Sequence, residues 1–346
     1  MSESLTSSST DESKPGYQST ENGLLIRTGR HFERPTTRSE LVLGFAFGAA
    51  AAELPAGVVK LGMQPLTAAS ANEGWWYEGA VEHRQFGPVR LAESADFSAL
   101  IVESDETGQE DLTALVAEAY TQLFSVLAKA RHKNPVRIWN YLDRINEQQA
   151  GEERYRLFSS GRAEAFAQLG IADNITPVGT AIGTEGSDKL VIILLASKIA
   201  FEVIENPRQV SAYHYPKTYG PDSPKFSRCG LLGQAANPML LVSGTAAVVG
   251  HESAFPFETS RQLDETLLNL QVLVQTACPA RNDPKAFKPG SRSAMRVYLR
   301  DASDQALVEK RLLEVWGELP DQMIFLRGDI CRSELMIEIE AVINPD

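Results

Sequence analysis

Residues 323–344 read MIFLRGDICRSELMIEIEAVIN, two runs of Ile, Leu, Val and Phe around a polar GDICRSE insert. In the second run Met336, Glu338 and Glu340 alternate with Leu335, Ile337 and Ile339. A period of two is a strand signature, because successive side chains of an extended chain point to opposite faces. Glu338 and Glu340 are therefore sent away from the face of Ile337 and Ile339. On pattern alone, the Glu face belongs to a solvent-facing edge strand. A second reading comes from the neighbours: Cys331 and Arg332 precede the acid by a turn and half a strand, so thiol, guanidinium and carboxyl can converge on one cleft.

The chain has 346 residues, 43% apolar and 23% charged, which leaves room for two domains or one fused unit with a large core. A net charge of −12 argues against nucleic acid or an anionic membrane as partner, since both are gripped through basic patches. A small anionic substrate stays open. Exposed charges beyond a Debye length of about 8–10 Å are screened, so a few local arginines set the sign of a pocket. Cys229, Cys278 and Cys331 are scattered with no CxxC pair, which fits a reducing cytoplasm better than a disulfide framework. The N-terminus shows no secretory pattern. The apolar run at 41–52, LVLGFAFGAAAA, is too short to span a bilayer and reads as buried strand and turn.

Residues 1–22, rich in Ser, Thr and Glu, read as a disordered tail. An N-terminal α+β domain is expected over 23–134 and a C-terminal one, carrying the active site, over 135–346, with the boundary at the basic RHKNP. In the first, residues 111–131 place Leu112, Leu115, Val116, Ala119, Leu123, Leu127 and Ala128 at helical spacing. Trp75, Trp76 and Tyr77 read as core or interface anchors. In the second, 135–146 (PVRIWNYLDRIN) starts as a strand, 161–169 (GRAEAFAQL) is helical after a loop, and 190–203 is one buried strand. The stretch 179–189 reads as a hairpin turn, 239–250 as strand, turn, strand, and 260–274 as a helix. The loop 207–228, PRQVSAYHYPKTYGPDSPKFSR, is too rich in Pro, Tyr and Gly for a helix, and its three tyrosines favour a loop pinned by function. The order of strands and helices gives an α+β fold of mixed sheets backed by helices.

Several chemistries lack a motif. The five histidines, His31, His83, His132, His214 and His251, are isolated, and HESAF lacks the second His of a zinc helix, so no metal is expected. His251 and Glu252 read instead as loop-holding groups. No GxSxG, GxGxxG or Walker pattern occurs, and no nucleotide or other cofactor is expected. What remains is arginines and tyrosines around one carboxylate: Arg162, Tyr213, Tyr215, Arg228 and Arg296 with Glu338. Each arginine alone is an ordinary surface ion pair; together they suit a dicarboxylate, because a guanidinium binds carboxylate through two parallel hydrogen bonds.

The segments MRVYLRDASD (295–304) and FLRGDICRSELMIEIEAV resemble the closing strand, helix and strand of the YjgF/RidA superfamily. RIWNYLDRIN, GRAEAF, QVSAYHYPKTYGPDSPKFSR and SGTAAVVGHES, upstream, resemble the chorismatase family, which is built on that fold. The resemblance runs from about residue 135 to the C-terminus. It implies fused YjgF/RidA-like units with a pseudo-trimer-like core, sufficient as a monomer. It also implies a cofactor-free enzyme acting on chorismate, with Glu338 as the catalytic acid and Cys331 assisting. Arg162, Tyr155, Tyr213, Tyr215, Arg228, Gly244 and Arg296 are then its substrate-binding set. Cys331 and Gly244 match the branch that aromatises its product to 3-hydroxybenzoate while releasing pyruvate. The alternatives are the hydrolase branch, which yields a dihydroxycyclohexadiene carboxylate, and a non-catalytic YjgF-type binder of small carboxylates. On residue chemistry alone Cys331 reads equally as an apolar filler, and Gly244 as a turn residue.

Overall fold

The computed structural model describes residues 23–49, 53–233, 239–278, 289 and 293–344. The expected tail, residues 1–22, lies outside them, as do residues 50–52 at the end of the apolar run.

The strands β1 (Leu24–Gly29), β2 (Ser39–Gly48), β3 (Val58–Leu61) and β4 (Ser70–Glu78) open the chain. Next come β5 (Glu82–Phe86), β6 (Val89–Glu93), β7 (Phe97–Asp105), α1 (Leu112–Leu127) and β8 (Asn134–Asp143). The small hairpin β9 (Gln148–Gln149) and β10 (Glu152–Glu153) leads into α2 (Arg154–Leu169), followed by β11 (Val178–Thr184) and β12 (Lys189–Ser197). The last part holds β13 (Glu202–Ile204), β14 (Cys229–Leu232), β15 (Met239–Thr245), β16 (Val248–Val249), β17 (Glu252–Ser253) and α3 (Thr259–Ala277). It ends with β18 (Ala294–Leu299), α4 (Gln305–Trp316), β19 (Gln322–Arg327), β20 (Asp329–Ile330) and β21 (Ile337–Ile343).

Three main sheets result: β1-β4-β2-β3, then β20-β11-β8-β12-β7-β6-β5, then β13-β14-β15-β21-β18-β19. The seven-stranded sheet takes strands from both sides of residue 134. It is backed by α1 and α2, whose apolar stripes share a core with Leu100, Ile138, Ile192 and Leu194. The six-stranded sheet is backed by α3 and α4 over Leu240, Val297, Ile337 and Ile339. A third core, with Trp75, Trp139, Tyr141, Tyr298 and Leu326, joins the three sheets by their inner faces. The mixed α+β expectation holds, and the repeated plan of a sheet with two helices agrees with fused units.

Several local readings change. β11 and β12 both pair with β8, which lies between them, so 179–189 is not a hairpin. The single strand expected over 190–203 stops at Ser197 and resumes as β13 in another sheet. Helix α2 starts at Arg154, ahead of the expected 161, and carries Gly161 at mid-length. A Cβ there would overlap the carbonyl of Thr113 on α1, so glycine permits the two helices to approach closely. Most consequential for the site, β21 is not an edge strand. It pairs antiparallel with β15 on one side and β18 on the other, and all seven of its residues are buried.

Candidate active site

Because β21 is central and covered on both faces, Glu338 and Glu340 point into the molecule, each 4% exposed. Tyr298 stands opposite Glu338 on β18, and Arg296 opposite Glu340. On the other side, the pairing of β15 with β21 jumps from Val242–Ala341 to Thr245–Ile339, so Ser243 and Gly244 together face Glu340. Such a bulge bends the strand and re-aims its side chains. Here it brings the bare Cα of Gly244 against the Glu338 carboxyl: an added Cβ would overlap Oε1. The Gly244 amide donates to Thr180 Oγ1 at 2.9 Å, fixing the bulge to β11 across the sheet interface.

Glu338 opens on a cleft of ≈ 270 Å³ between the helical layer of α2 and the last sheet. Tyr155, Arg156 and Glu153 enter it from the start of α2; Tyr215, Tyr219, Phe226 and Arg228 from the long loop; Gly244 from β15; and Cys331, Arg332 and Glu334 from the loop before β21. Aromatic faces thus alternate with guanidinium groups. Arg228 Nη2 donates to the Tyr215 hydroxyl at 2.6 Å, and the guanidinium lies 5.0 Å from the ring of Phe226. Its Nε is buried and has no partner among the described residues. Arg332 sits 4.0 Å over Tyr219 and donates to the His251 carbonyl at 2.9 Å, while His251 Nδ1 and the Tyr219 hydroxyl are 3.3 Å apart. His251 therefore helps to hold the loop, as its sequence position suggested.

The electrostatics separate the two glutamates. Burial, then the charge of Glu340, raises Glu338 to about 8 against the opposing pull of Arg137 and Arg228. Glu340 is also buried, but Arg296 and Arg137 outweigh that penalty and hold it below the ordinary carboxylate range. One carboxyl thus keeps its proton at neutral pH and the other does not. Burial and the nearby Glu338 push the Cys331 thiol up to about 12, so it stays a thiol. The Tyr155 phenol is pushed well up, first by burial and then by Cys331 and Glu338.

A larger hollow of ≈ 560 Å³ lies between the first two sheets, beside His83, Arg84 and Arg90. None of the candidate residues lines it, and size alone does not outweigh a buried neutral acid. Among the described residues no three His, Cys, Asp or Glu side chains group as a metal site, and no helix is long and apolar enough to cross a membrane.

Residues 73–196 match the family described as chorismatase FkbO/Hyg5-like, N-terminal. Over 294 residues the chain is 33% identical to a 3-hydroxybenzoate synthase of Streptomyces hygroscopicus, spanning 82% of this chain and 85% of that protein. The chain belongs to the chorismatase family. A chorismatase of Streptomyces rapamycinicus is 30% identical over 279 residues, 79% of this chain and 82% of that one. A crystal structure of a chorismatase has the same fold, with a TM-score of 0.81 over 95% of this chain and 100% of the other, at 24% identity.

Within this chorismatase, Glu338, Cys331, Tyr155, Tyr215, Arg228 and Gly244 meet in the cleft. Three expected residues do not line it. Arg296 is turned into the interior, where Glu73 binds it at 2.8 and 2.6 Å and Glu340 at 2.9 Å. Tyr213 packs on His214 at 4.6 Å, and its carbonyl accepts from Ser223. Arg162 is 1% exposed in the core behind α2, 4.9 Å from the Phe158 ring, with Nε and Nη2 unpartnered among the described residues. The sequence reading missed Arg156, Tyr219 and Phe226. Tyr219 and Phe226 lie in the loop already singled out, and Arg156 follows Tyr155 directly. Taking that loop and the first turn of α2 as units would have found all three.

Proposed function

We propose that the chain converts chorismate to 3-hydroxybenzoate and pyruvate, with Glu338 as the proton donor. The observation that carries this reading is a carboxyl buried at the floor of a cationic, aromatic cleft and uncharged up to about pH 8. Opening an enol ether requires a proton on its methylene carbon, and the donor must hold that proton at working pH.

The substrate carries two carboxylates, one on the ring and one on the enolpyruvyl group. Arg228, Arg332 and Arg156 supply guanidinium groups along the cleft wall, and Tyr215, Tyr219 and Phe226 give the ring flat apolar surfaces. Glu338 protonates the methylene carbon; the former alkene carbon becomes an oxocarbenium, stabilised by the carboxylate left behind on Glu338. Water adds to that carbon and returns a proton to Glu338, and the hemiketal collapses by breaking its bond to the ring oxygen, which frees pyruvate. Loss of the ring hydroxyl as water, balanced by the water taken up in forming pyruvate, leaves the aromatic 3-hydroxybenzoate with no net oxidation. Cys331, as a neutral thiol beside Glu338, shapes the space next to the ring and can donate a hydrogen bond but does not act as a thiolate base.

The test is to mix the purified chain with chorismate, without added metal or nucleotide, and to follow pyruvate and aromatic product. One 3-hydroxybenzoate per pyruvate is expected. A non-aromatic diol in that ratio would transfer the chain to the hydrolysing branch, and no pyruvate at all would defeat the reading.

A further inference from the structure

Glu338 and Glu340 are equally buried and lie two residues apart on one face of β21, but they differ in partners. Glu340 accepts from Arg137 Nη2 at 2.5 Å and from the Tyr298 hydroxyl at 2.8 Å, and pairs with Arg296 Nη1 at 2.9 Å. Arg296 is held on its other side by both oxygens of Glu73. The buried chain Glu73, Arg296, Glu340, Arg137 therefore alternates in sign and sums to zero. Glu338 has no ion pair among the described residues.

The titratable or charged groups that face Glu338 are Glu340 on its own strand, Arg137 from β8, Tyr298 from β18, Arg228 from ahead of β14, Tyr155 from α2 and Cys331 from the preceding loop. Only Arg137 and Arg228 favour an ionised Glu338, and Arg137 is already engaged by Glu340. We propose that Glu340 is a positioning residue for the acid: by occupying Arg137 it keeps that guanidinium from pairing with Glu338, and so keeps the proton on Glu338 for delivery to substrate. This rests on the reading of Glu338 as the proton donor.

An unpaired ion in the interior is strongly disfavoured. With Gln at 340 the chain would carry one excess positive charge, and Arg137, whose Nη1 has no partner among the described residues, would draw a carboxylate from Glu338. With Gln at 137 instead, the excess is negative and Glu338 holds its proton more tightly. The two substitutions thus move one quantity in opposite directions, which a merely structural role would not do.

The experiment measures kcat/KM against pH for wild type, Glu340→Gln, Arg137→Gln and the double variant. Alongside it, the infrared band of the neutral Glu338 carboxyl, assigned by its loss in Glu338→Gln, is titrated. Glu340→Gln should move both the alkaline limb and the band downward by about one pH unit or more; Arg137→Gln should move them upward, and the double variant should return them near wild type. Unmoved limbs and bands in the single variants, or a double variant displaced further than either, would overturn the proposal. If Glu340→Gln fails to fold, the upward move in Arg137→Gln decides alone. Retained turnover in Glu338→Gln sinks the acid assignment itself, whereas an inactive Glu338→Gln beside an unmoved Glu340→Gln sinks only this inference.

Discussion

The Glu338 carboxyl occupies the space that a side chain on Gly244 would need. This makes Gly244 part of the acid's geometry. The nearest other atom to an added methyl is Thr180 Cγ2 at 3.2 Å, so relief must come from Glu338 itself. In Gly244→Ala the acid is expected to swing toward the cleft mouth, with pyruvate release slowed about tenfold or more and product moved from 3-hydroxybenzoate toward the diol. Chromatography of the products checks this; an unchanged product at an unchanged rate would show that the acid's position is not critical.

Glu338→Gln should lower pyruvate release by about 10²-fold or more while the fold persists, as seen by circular dichroism. It should also alter stability with a defined sign. The folded chain holds the Glu338 proton up to about pH 8, whereas the unfolded chain releases it near 4.5. The wild-type acid therefore stabilises fully below about 4.5, and that contribution is lost as pH rises through 8, at a slope of up to about 1.4 kcal/mol per pH unit. Denaturant melts at pH 5 and pH 8 should show wild type losing ground to the variant at the higher pH. Parallel pH profiles would place the carboxyl in contact with water.

Much of this framework is legible in the sequence, and its limits are physical. The amphipathic spacing at 111–131 gives α1, and the alternation of Glu338 and Glu340 with Ile337 and Ile339 gives β21. What alternation does not encode is how many sheets will cover a strand. A glutamate face reads as wet unless residues distant in the chain, here Arg137 and Arg296, supply the charges that let it be dry. The sequence puts Arg296 with the substrate for the same reason: its partner Glu73 lies over two hundred positions away. The sequence shows only the later part of α2 because Ser159, Ser160 and Gly161 are weak helix formers, and the contact with α1 that sustains them is tertiary.

Arg296 should therefore matter to stability first. Arg296→Met would leave Glu73 and Glu340 buried with one guanidinium fewer, a loss of about 3–5 kcal/mol. Urea titration is the measurement. A variant of near wild-type stability that had lost substrate affinity would return Arg296 to the cleft.

Cys331, protonated beside Glu338, should react slowly. With its thiol raised to about 12, the thiolate at pH 8 is about one part in 10⁴, so iodoacetamide should label Cys331 far more slowly than a free cysteine. Peptide mass mapping reads this directly, and rapid labelling would contradict the neutral thiol. Cys331→Ala should keep pyruvate release and shift the product toward the diol.

Arg228 lines the cleft, braced by the Tyr215 hydroxyl, and its Nε has no partner among the described residues. Arg228→Lys keeps the charge but not the planar fork, so KM for chorismate should rise about 10- to 100-fold. Tyr215→Phe, which removes only the brace, should raise KM by less than tenfold. Steady-state kinetics separates the two; equal effects would mean that the planar fork of Arg228 adds nothing beyond its bond to the Tyr215 hydroxyl.

The cleft draws its walls from residues 153 through 338, out of a helix start, a long loop, a bulged strand and the closing strand. The bulged strand and the closing strand are neighbours in one sheet, whereas the helix start belongs to the layer backing another. Turnover should thus need every one of these pieces docked at once. A single proteolytic cut within the loop 207–228 would extinguish it while most of the secondary structure survives, which makes activity a more sensitive gauge of complete assembly than any spectroscopic measure of helix or strand.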